Sequence, residues 1–385
     1  MKDQFNKIQQ IGIHCEEEYE KFLGAVVPPI FENTLFKFPT LELMEEAYIT
    51  PGMRYGYTRI SNPTCEIAEK KIALMEKGEV ARTYVSGVSA ILSAISTFLE
   101  QGSHVVYVKT AYGRVDEIVN RYFSRFGVTS TAVDGEDIAE FESAIQSNTK
   151  IIYLESPSSM VLKLQDLSAV AKLAKAKGIA TIIDNTWATP VFQNPLALGI
   201  DMVVHSISKY LGGHSDILGG VIISSKEIMD RIPVSGSFLP PFESWLLIRS
   251  LRTLGIRMRA HQENAMAVTQ YLEKHPKIIR VNYPGLPSFP QYDLGKKQMS
   301  GYSGLFSFEL DAEKDGIARF INTQKHFALG SSWGGFEGVI DPVIAGNTKQ
   351  QVIDMGYAPG LIRISIGLED ADCILDDLDN ALKAV

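Results

Sequence analysis

Cysteine is scarce in this sequence, with three in 385 residues, at positions 15, 65 and 373. Their odd number and wide spacing exclude a disulfide framework and a zinc ribbon as the basis of the fold, and we expect no metal site. No apolar run approaches the ~20 residues of a membrane helix, and the N-terminus lacks the basic and then apolar pattern of a signal peptide. We therefore expect a cytoplasmic protein with reduced thiols and no membrane partner.

An excess of positive charge is also lacking. The 37 lysines and arginines are outnumbered by 45 aspartates and glutamates, for a formal net charge of −8, and the basic residues form no stripe along the chain. This balance argues against a nucleic-acid partner. The residues are 45% hydrophobic and 21% charged, without repeats or low-complexity segments, which is typical of a globular protein of enzyme size.

The first sixty residues show little periodicity and are interrupted by prolines, such as the pair Pro28-Pro29. Prolines favour extended backbone in the residues before them. We expect residues 1–60 to form an arm that lies on a second copy of the protein.

Between about residues 82 and 223, short apolar runs rich in β-branched residues alternate with amphipathic segments. This pattern predicts a mostly parallel α/β sheet, in which ligands bind beyond the carboxyl ends of the strands. The predicted strands are residues 105–108, 151–154, 181–183 and 203–205, and the predicted helices are residues 137–145 and 166–177.

The rest of the sequence predicts a smaller C-terminal α+β domain. A long helix covers about residues 242–275 and is ended by Pro276. It is followed by strands at residues 304–310 and 361–366 and a last helix at 370–384. We place the domain boundary near residue 245, with a large domain at 61–245 and a small domain at 246–385.

Polar residues directly follow three of the predicted strands. Lys209 lies in the stretch SISKYLGGHSD, Asp184 in TIIDNTWATP and Glu155 in IIYLESPSS. A carboxylate in such a place more often caps a helix or binds loop amides than takes part in chemistry, and we keep that interpretation for Glu155. Lys209 and Asp184 are candidates for chemistry because other suitable groups accompany them.

Those groups are donors suited to a phosphate. Ser86-Gly87 directly precedes an amphipathic segment, so the free amides and the dipole of the predicted helix favour an anion. Hydroxyl, phenol and guanidinium donors are added by Ser206, Ser208, Tyr57 and Arg59.

A lysine, a buried carboxylate and phosphate donors are what pyridoxal 5′-phosphate requires. Lys209 would form the Schiff base with the cofactor, and Asp184 would keep the pyridine nitrogen protonated so that the ring accepts electrons. Tyr112 follows the strand in VVYVKTAYG and is suited to stack on the ring and to act as an acid or base.

Several longer motifs point to one family. YTRISNPT, SGVSAI, DNTWATP, SISKYLGGHSD and SGLFSFEL occur in the order and spacing of the Cys/Met-metabolism enzymes, and the resemblance covers nearly the whole chain. This group includes cystathionine β-lyase, cystathionine γ-lyase, cystathionine γ-synthase and methionine γ-lyase. The resemblance implies pyridoxal phosphate fold type I, an aspartate aminotransferase-like α/β fold, and a homotetramer built from dimers with shared active sites.

The resemblance also implies roles for single residues. Lys209 would be the Schiff-base lysine and main proton carrier, Asp184 the partner of the pyridinium, Tyr112 the ring-stacking and second catalytic residue, and Arg363 the clamp for the substrate α-carboxylate. The phosphate would be bound by Gly87, Val88, Ser206 and Ser208, joined by Tyr57 and Arg59 from the neighbouring subunit. The remaining substrate contacts would come from Ser332, Trp333 and Tyr57.

Two residues make cystathionine β-lyase the most similar group within the family. Trp333 stands where γ-acting members typically carry Leu, and Ser159 stands where many of them carry Asn. The alternative for Trp333 is a core aromatic in a rigid, glycine-rich turn. Arg114 and Ser331 depart from the family pattern: we expect Arg114 to face solvent, and Ser331 stands where a Tyr or Glu would be usual.

The resemblance therefore implies a carbon–sulfur lyase that cleaves cystathionine or a cysteine-type thioether. We expect α,β-elimination to pyruvate, ammonia and a thiol, with Lys209 removing the α-proton. The alternative is γ-elimination or γ-replacement, which needs a second proton removal, from Cβ. A third hypothesis is a non-catalytic relative that binds the cofactor and serves as a regulator or scaffold.

Overall fold

The structure of the chain, a computed structural model, describes residues 2–50, 55–233 and 236–385. Residues 1 and 51–54, which belong to the predicted arm, lie outside the described residues, as do residues 234–235. The α-helices are α1 (Lys2–His14), α2 (Leu41–Ile49), α3 (Pro63–Glu76), α4 (Gly87–Ser96), α5 (Arg114–Glu117), α6 (Ile138–Ala144), α7 (Leu167–Lys177), α8 (Thr189–Phe192), α9 (Lys226–Met229), α10 (Pro241–Leu251), α11 (Leu254–Leu272), α12 (Tyr292–Gln298), α13 (Lys314–Thr323), α14 (Lys349–Asp354) and α15 (Ala371–Lys383).

The strands form two sheets. They are β1 (Val80–Tyr84), β2 (His104–Val108), β3 (Thr129–Val133), β4 (Thr149–Glu155), β5 (Ala180–Asp184), β6 (Met202–Ser206), β7 (Gly220–Ser224), β8 (Ile278–Asn282), β9 (Leu305–Leu310), β10 (Phe327–Leu329), β11 (Gly338–Pro342) and β12 (Leu361–Ser365). β1–β7 belong to the larger sheet and β8–β12 to the smaller one.

The larger sheet has the strand order β1-β7-β6-β5-β4-β2-β3. β7 runs antiparallel to β1 and β6, and all other neighbouring pairs are parallel. The central strands are apolar on both faces; Ile151, Ile152 and Ile183, for example, are fully buried. Since helices cover both faces of such a sheet, near-continuous runs of β-branched residues are what a buried parallel strand requires. The predicted mostly parallel α/β fold is confirmed.

Helix caps fix where the loops at the ends of these strands turn. The Ser86 side chain accepts a hydrogen bond from the Ser89 amide and so begins α4 directly after β1. Asp166 caps α7 in the same way, and Gly178, in the left-handed conformation with φ of +67°, ends it. These capping residues satisfy amide groups that the first turn of a helix leaves free.

The smaller sheet has the order β10-β11-β12-β9-β8 and is antiparallel except for the pair β10 and β11. Both strands predicted in this half of the chain are present, as is the last helix, α15. The single long helix predicted at 242–275 is wrong, because α10 and α11 are separated at Arg252 and Thr253. The side chain of Gln9 donates a hydrogen bond to the Arg252 carbonyl at 2.7 Å, which satisfies a group that the break exposes.

The N-terminus also differs from the prediction. Residues 2–14 form α1, in which Ile8 and Ile11 are buried in the core, so this part of the predicted arm packs on its own chain. The Lys71 ammonium donates to the carbonyls of Ile11 at 3.2 Å and Gly12 at 2.9 Å and thereby closes the C-terminal end of α1. Beyond α1, apolar side chains such as Leu23 and Ile60 are largely exposed. None of the helices described is long and apolar enough to cross a membrane.

Candidate active site

A cavity of about 320 Å³ lies beyond the carboxyl ends of the central strands of the larger sheet. Its volume lies at the lower end of the range for small-molecule sites. Loops that follow β1, β2, β4, β5 and β6 reach it, together with β12 and the loop between β10 and β11 of the smaller sheet. The predicted site residues that line it are Gly87, Val88, Tyr112, Asp184, Ser206, Ser208, Lys209, Ser332, Trp333 and Arg363.

Lys209 lies three residues beyond β6, and its ammonium points into the cavity. Its Nζ donates a hydrogen bond to Ser332 Oγ at 2.8 Å and lies 5.3 Å from the centre of the Trp333 ring. Burial, with the nearby charge of Arg363, lowers the pKa of Lys209 to about 8. Near pH 7 this amine is still mostly protonated, but its neutral fraction, the form that a general base or a nucleophile requires, is far larger than that of an ordinary lysine.

The loop that carries Ser332 and Trp333 lies directly on the backbone of Lys209. Gly334, with φ of +81°, makes this possible, because a Cβ at that position would lie 2.9 Å from the amide nitrogen of Tyr210. The Trp333 ring also packs edge-on against Tyr210, with ring centres 5.5 Å apart. Trp333 is thus both a packing residue and a wall of the cavity.

Asp184 ends β5 and is almost fully buried. Its Oδ1 accepts hydrogen bonds from the Thr186 amide at 2.9 Å and from the Thr186 hydroxyl. Its Oδ2 accepts none from the described residues. Burial raises the pKa of Asp184, and the Thr186 hydrogen bonds oppose this shift. A buried carboxylate with one open oxygen suits a protonated ring nitrogen, which would supply both a donor and a positive charge.

The N-terminus of α4 has the features of an anion site. The amides of Gly87 and Val88 donate no hydrogen bond within the described ranges, because the Ser86 cap reaches only the Ser89 amide. A Cβ on Gly87 would come within 3.1 Å of the Ser206 side chain, so glycine lets the helix start lie beside β6. Ser208 Oγ accepts from the Gly219 amide at 3.1 Å. Free amides, a helix dipole and two hydroxyls fit a phosphate.

Glu155 lines the cavity as well, as its place at the carboxyl end of a parallel strand favours, although we kept a structural interpretation for it. As expected, it binds a loop amide, accepting from Tyr112 at 2.7 Å, and it also accepts from the Ser159 hydroxyl. Burial and the charge of Asp184 raise the pKa of Glu155 to about 8. The carboxyl group therefore holds the backbone of Tyr112, whose own side chain is about half exposed, at the edge of the cavity.

Arg363 projects from β12 and is buried. Its Nη2 donates to the Ser331 carbonyl at 2.6 Å and to Asp341 Oδ2 at 2.8 Å. Burial lowers the pKa of Arg363, and Asp341 opposes that shift. Ser331 is exposed and offers Arg363 its carbonyl rather than its side chain.

Two predicted residues are not brought into the cavity by this chain. Tyr57 is 43% exposed, and the guanidinium of Arg59 lies 5.6 Å from the centre of its ring. Arg59 lines a separate cavity with Arg82 and Glu69.

Arg114 faces solvent, as expected, and pairs with Glu117 at 2.5 Å.

Three further residues that contact the site, Thr186, Ser159 and Asp341, were not predicted from the sequence, and they differ in whether a local sequence pattern indicates them. Thr186 lies two positions after Asp184, the spacing at which an aspartate often accepts a hydrogen bond from a backbone amide, so this contact could have been predicted. Ser159 lies on a loop with no such signal. Asp341 meets Arg363 only because β11 and β12 pair in a particular register, which one sequence does not reveal.

Comparisons with known proteins agree with this geometry. The model of the family described as Cys/Met metabolism PLP-dependent enzymes matches residues 9–383. This chain belongs to that family. Its cofactor is pyridoxal 5′-phosphate, and its fold is fold type I, as the sequence motifs predicted.

Several relatives that are similar over nearly the whole chain bear the names of gamma-lyases. The chain is 38% identical to an L-methionine gamma-lyase of Fusobacterium nucleatum over 373 residues, which is 94% of each chain. It is 37% identical to an L-methionine gamma-lyase of Pseudomonas putida over 97% of this chain and 96% of the relative. It is 38% identical to a cystathionine gamma-lyase of Bacillus subtilis over 98% of this chain and the whole of the relative. These relatives favour the γ-acting alternative over the predicted α,β-elimination.

Proposed function

We propose that this protein is a pyridoxal phosphate-dependent carbon–sulfur lyase that cleaves the Cγ–S bond of a sulfur amino acid. The substrate and one water would yield 2-oxobutyrate, ammonia and a thiol. The observation that carries the proposal is the likeness of the whole chain to methionine and cystathionine gamma-lyases. The cavity supports it, because it combines a partly neutral lysine, a buried carboxylate and a buried arginine.

The residues of the cavity fit the cofactor. Asp184 would face the ring nitrogen, Lys209 would form the covalent link, and Tyr112 would stack on the ring. The phosphate would be held by the amides of Gly87 and Val88 and the hydroxyls of Ser206 and Ser208. When bound, pyridoxal phosphate supplies an electron sink that stabilises negative charge at the substrate Cα.

The chain's own groups would orient the substrate and move its protons. Arg363 would bind the α-carboxylate, with Ser332, Trp333 and Tyr57 around the rest of the molecule. Lys209, once free, would take the proton from Cα and would release it to the bound cofactor. As a neutral amine again, it would take a second proton, from Cβ, and Lys209 or Tyr112 would protonate the leaving thiol. The low pKa of Lys209 supports this role, because the neutral amine is the form that accepts a proton.

A second copy of the chain would complete the site. Tyr57 and Arg59 lie outside the cavity of their own chain and carry donors suited to phosphate, which supports a site shared between subunits of a homotetramer built from dimers. Within the predicted arm, 1–60, the segment beyond α1 carries exposed apolar side chains that a partner would cover. The large domain at 61–245 and the small domain at 246–385 remain our proposed division of the chain.

α,β-elimination is the second candidate, and Trp333 is the observation that favours it. Trp333 lines the cavity next to Lys209 at the position where γ-acting members of the family typically carry Leu. Its packing against Tyr210 gives it a structural role as well, so we rank this candidate below γ-elimination.

L-Methionine tests the proposal, because its sulfur is attached to Cγ. The purified holoenzyme should release 2-oxobutyrate and a volatile thiol in equal amounts, and a Lys209→Ala variant should release neither. Absence of 2-oxobutyrate with methionine and with cystathionine alike would reject γ-elimination.

A further inference from the structure

Arg363 already holds a carboxylate of its own chain. It stands directly opposite Asp341 in the antiparallel register of β11 and β12. Its Nη2 donates to Asp341 Oδ2 at 2.8 Å and to the Ser331 carbonyl at 2.6 Å. The Arg363 side chain is 10% exposed and that of Asp341 is 29% exposed. The buried guanidinium of Arg363 is thus paired with a counter-ion, Asp341, that is partly exposed to solvent.

These two contacts engage both hydrogens of Nη2. A guanidinium offers a carboxylate two paired edges, one formed by Nε with Nη2 and the other by Nη1 with Nη2. Each edge includes one Nη2 hydrogen. Among the described residues Nη1 contacts only the Met160 sulfur, at 3.7 Å, and Nε has no acceptor. A carboxylate that binds either edge with two hydrogen bonds therefore meets a donor that is already engaged.

Asp341 is the acceptor that is able to leave. The carbonyl of Ser331 belongs to the backbone, whereas the Asp341 carboxylate is on a side chain that reaches solvent and accepts no other hydrogen bond from the described part of the chain. A second carboxylate at the same guanidinium would also repel Asp341. In the absence of substrate, Asp341 is the carboxylate that compensates the buried guanidinium most strongly, and Glu155 contributes less.

We propose that Asp341 is a resident counter-ion that the substrate α-carboxylate displaces from Arg363. Asp341 is then a positioning residue: it sets substrate affinity through Arg363 without touching the reacting atoms. The inference rests on the proposed function in one respect, that Arg363 binds the α-carboxylate. The role of Asp341 goes beyond that function, since control of substrate affinity is assigned to a residue outside the cavity lining.

The Asp341→Asn variant tests this. Asparagine keeps an oxygen that accepts from Nη2 but removes the charge that competes with the substrate. L-Norleucine is the probe, because it has the shape of methionine with a methylene in place of sulfur and cannot lose a thiol. Calorimetric titration of the holoenzyme should show that the variant binds norleucine about tenfold more tightly, since one like charge is gone. L-Norleucinamide, which lacks the carboxylate, should gain no affinity.

Two further variants serve as controls. Asp341→Glu keeps the charge and should bind norleucine with nearly wild-type affinity. Glu309→Gln removes an ion pair with Arg280 that also crosses two strands of the smaller sheet, at 2.5 Å, and should leave norleucine affinity unchanged. Equal or weaker binding of norleucine by Asp341→Asn would overturn the proposal, because a residue that only supports Arg363 would lose affinity when altered.

Binding of norleucine involves no turnover, so this test is separate from that of the proposed reaction. A wild-type enzyme that makes no 2-oxobutyrate would reject γ-elimination while leaving the order of norleucine affinities intact. Release of 2-oxobutyrate together with unchanged or weaker norleucine binding by Asp341→Asn would keep γ-elimination and reject only the role of Asp341.

Discussion

Lys209 Nζ donates a hydrogen bond to Ser332 Oγ at 2.8 Å, although the two residues are 123 positions apart in the chain. Lys209 follows β6 of the larger sheet, and Ser332 lies on the loop between β10 and β11 of the smaller one. This contact joins the two sheets at the group that we propose as the base. Because Ser332 accepts the hydrogen bond, it stabilises the protonated amine.

Replacement of Lys209 should remove catalysis. Lys209→Ala should lower turnover of methionine by at least about a thousandfold, because the proton-transfer group is lost. The groups proposed to bind the phosphate are intact in this variant, so the cofactor should stay bound without a covalent link, visible as a changed absorption spectrum. Lys226→Ala, at an exposed lysine paired with Asp230, is the control. Normal turnover by Lys209→Ala would refute the assignment of the base.

Loss of the Ser332 hydroxyl should shift the pH dependence. Without this acceptor the protonated form of Lys209 is less stable, so its pKa should fall below the value of about 8. The acidic limb of the rate profile of Ser332→Ala should therefore move to lower pH, whereas Ser332→Thr, which keeps the hydroxyl, should resemble the wild type. An acidic limb that stays in place or moves to higher pH would contradict this contact's role.

Glu155 should make the cofactor-free protein less stable as pH rises. Its pKa is raised to about 8 in the folded chain, so between about pH 4.3 and 8 the folded state binds more protons than the unfolded state. The stabilising contribution of Glu155 to folding is therefore fully present below this window and is lost as pH rises through it. Glu155→Gln keeps the acceptor for Tyr112 and should make the decline shallower in denaturant titrations from pH 5 to 8. The exposed control Glu117→Gln should not change it.

Arg59 should act in the active site of a neighbouring chain. Arg59→Ala should weaken cofactor retention, since a phosphate donor is lost. Oligomers assembled from Arg59→Ala and Lys209→Ala chains should regain part of the activity that each variant lacks alone, because one of their shared sites has both residues intact. No regain in mixed oligomers that size measurements show to have formed would contradict a shared site.

Local patterns in the sequence predicted the centre of the fold well. Buried parallel strands appear as apolar runs, so residues 151–154 and 181–183 fall within β4 and β5, and the groups after each strand meet at one edge because parallel strands end there. Lys209 and Asp184 could be found in this way. Neither residue is distinctive alone, and the phosphate donors that accompany them in the sequence single them out.

Features that depend on contacts between distant segments could not be read from the sequence. The pairing of Asp341 with Arg363 follows from strand register, and the hydrogen bond from the Tyr112 amide to Glu155 follows from the path of the loop that carries Tyr112. Gln9, far away in the chain, binds a carbonyl at the break between α10 and α11, a contact that no local pattern predicts. Trp333 weighted the prediction toward β-elimination, although one residue that also packs against Tyr210 says less about the reaction than likeness over the whole chain.

The keto acid released from L-cystathionine distinguishes γ-elimination from α,β-elimination. Cystathionine offers the enzyme both a Cβ–S and a Cγ–S bond, so one substrate compares the two reactions in the same cavity. We expect 2-oxobutyrate and cysteine from the purified holoenzyme. Pyruvate and homocysteine as the main products would contradict γ-elimination and would make Trp333 the better guide to the reaction.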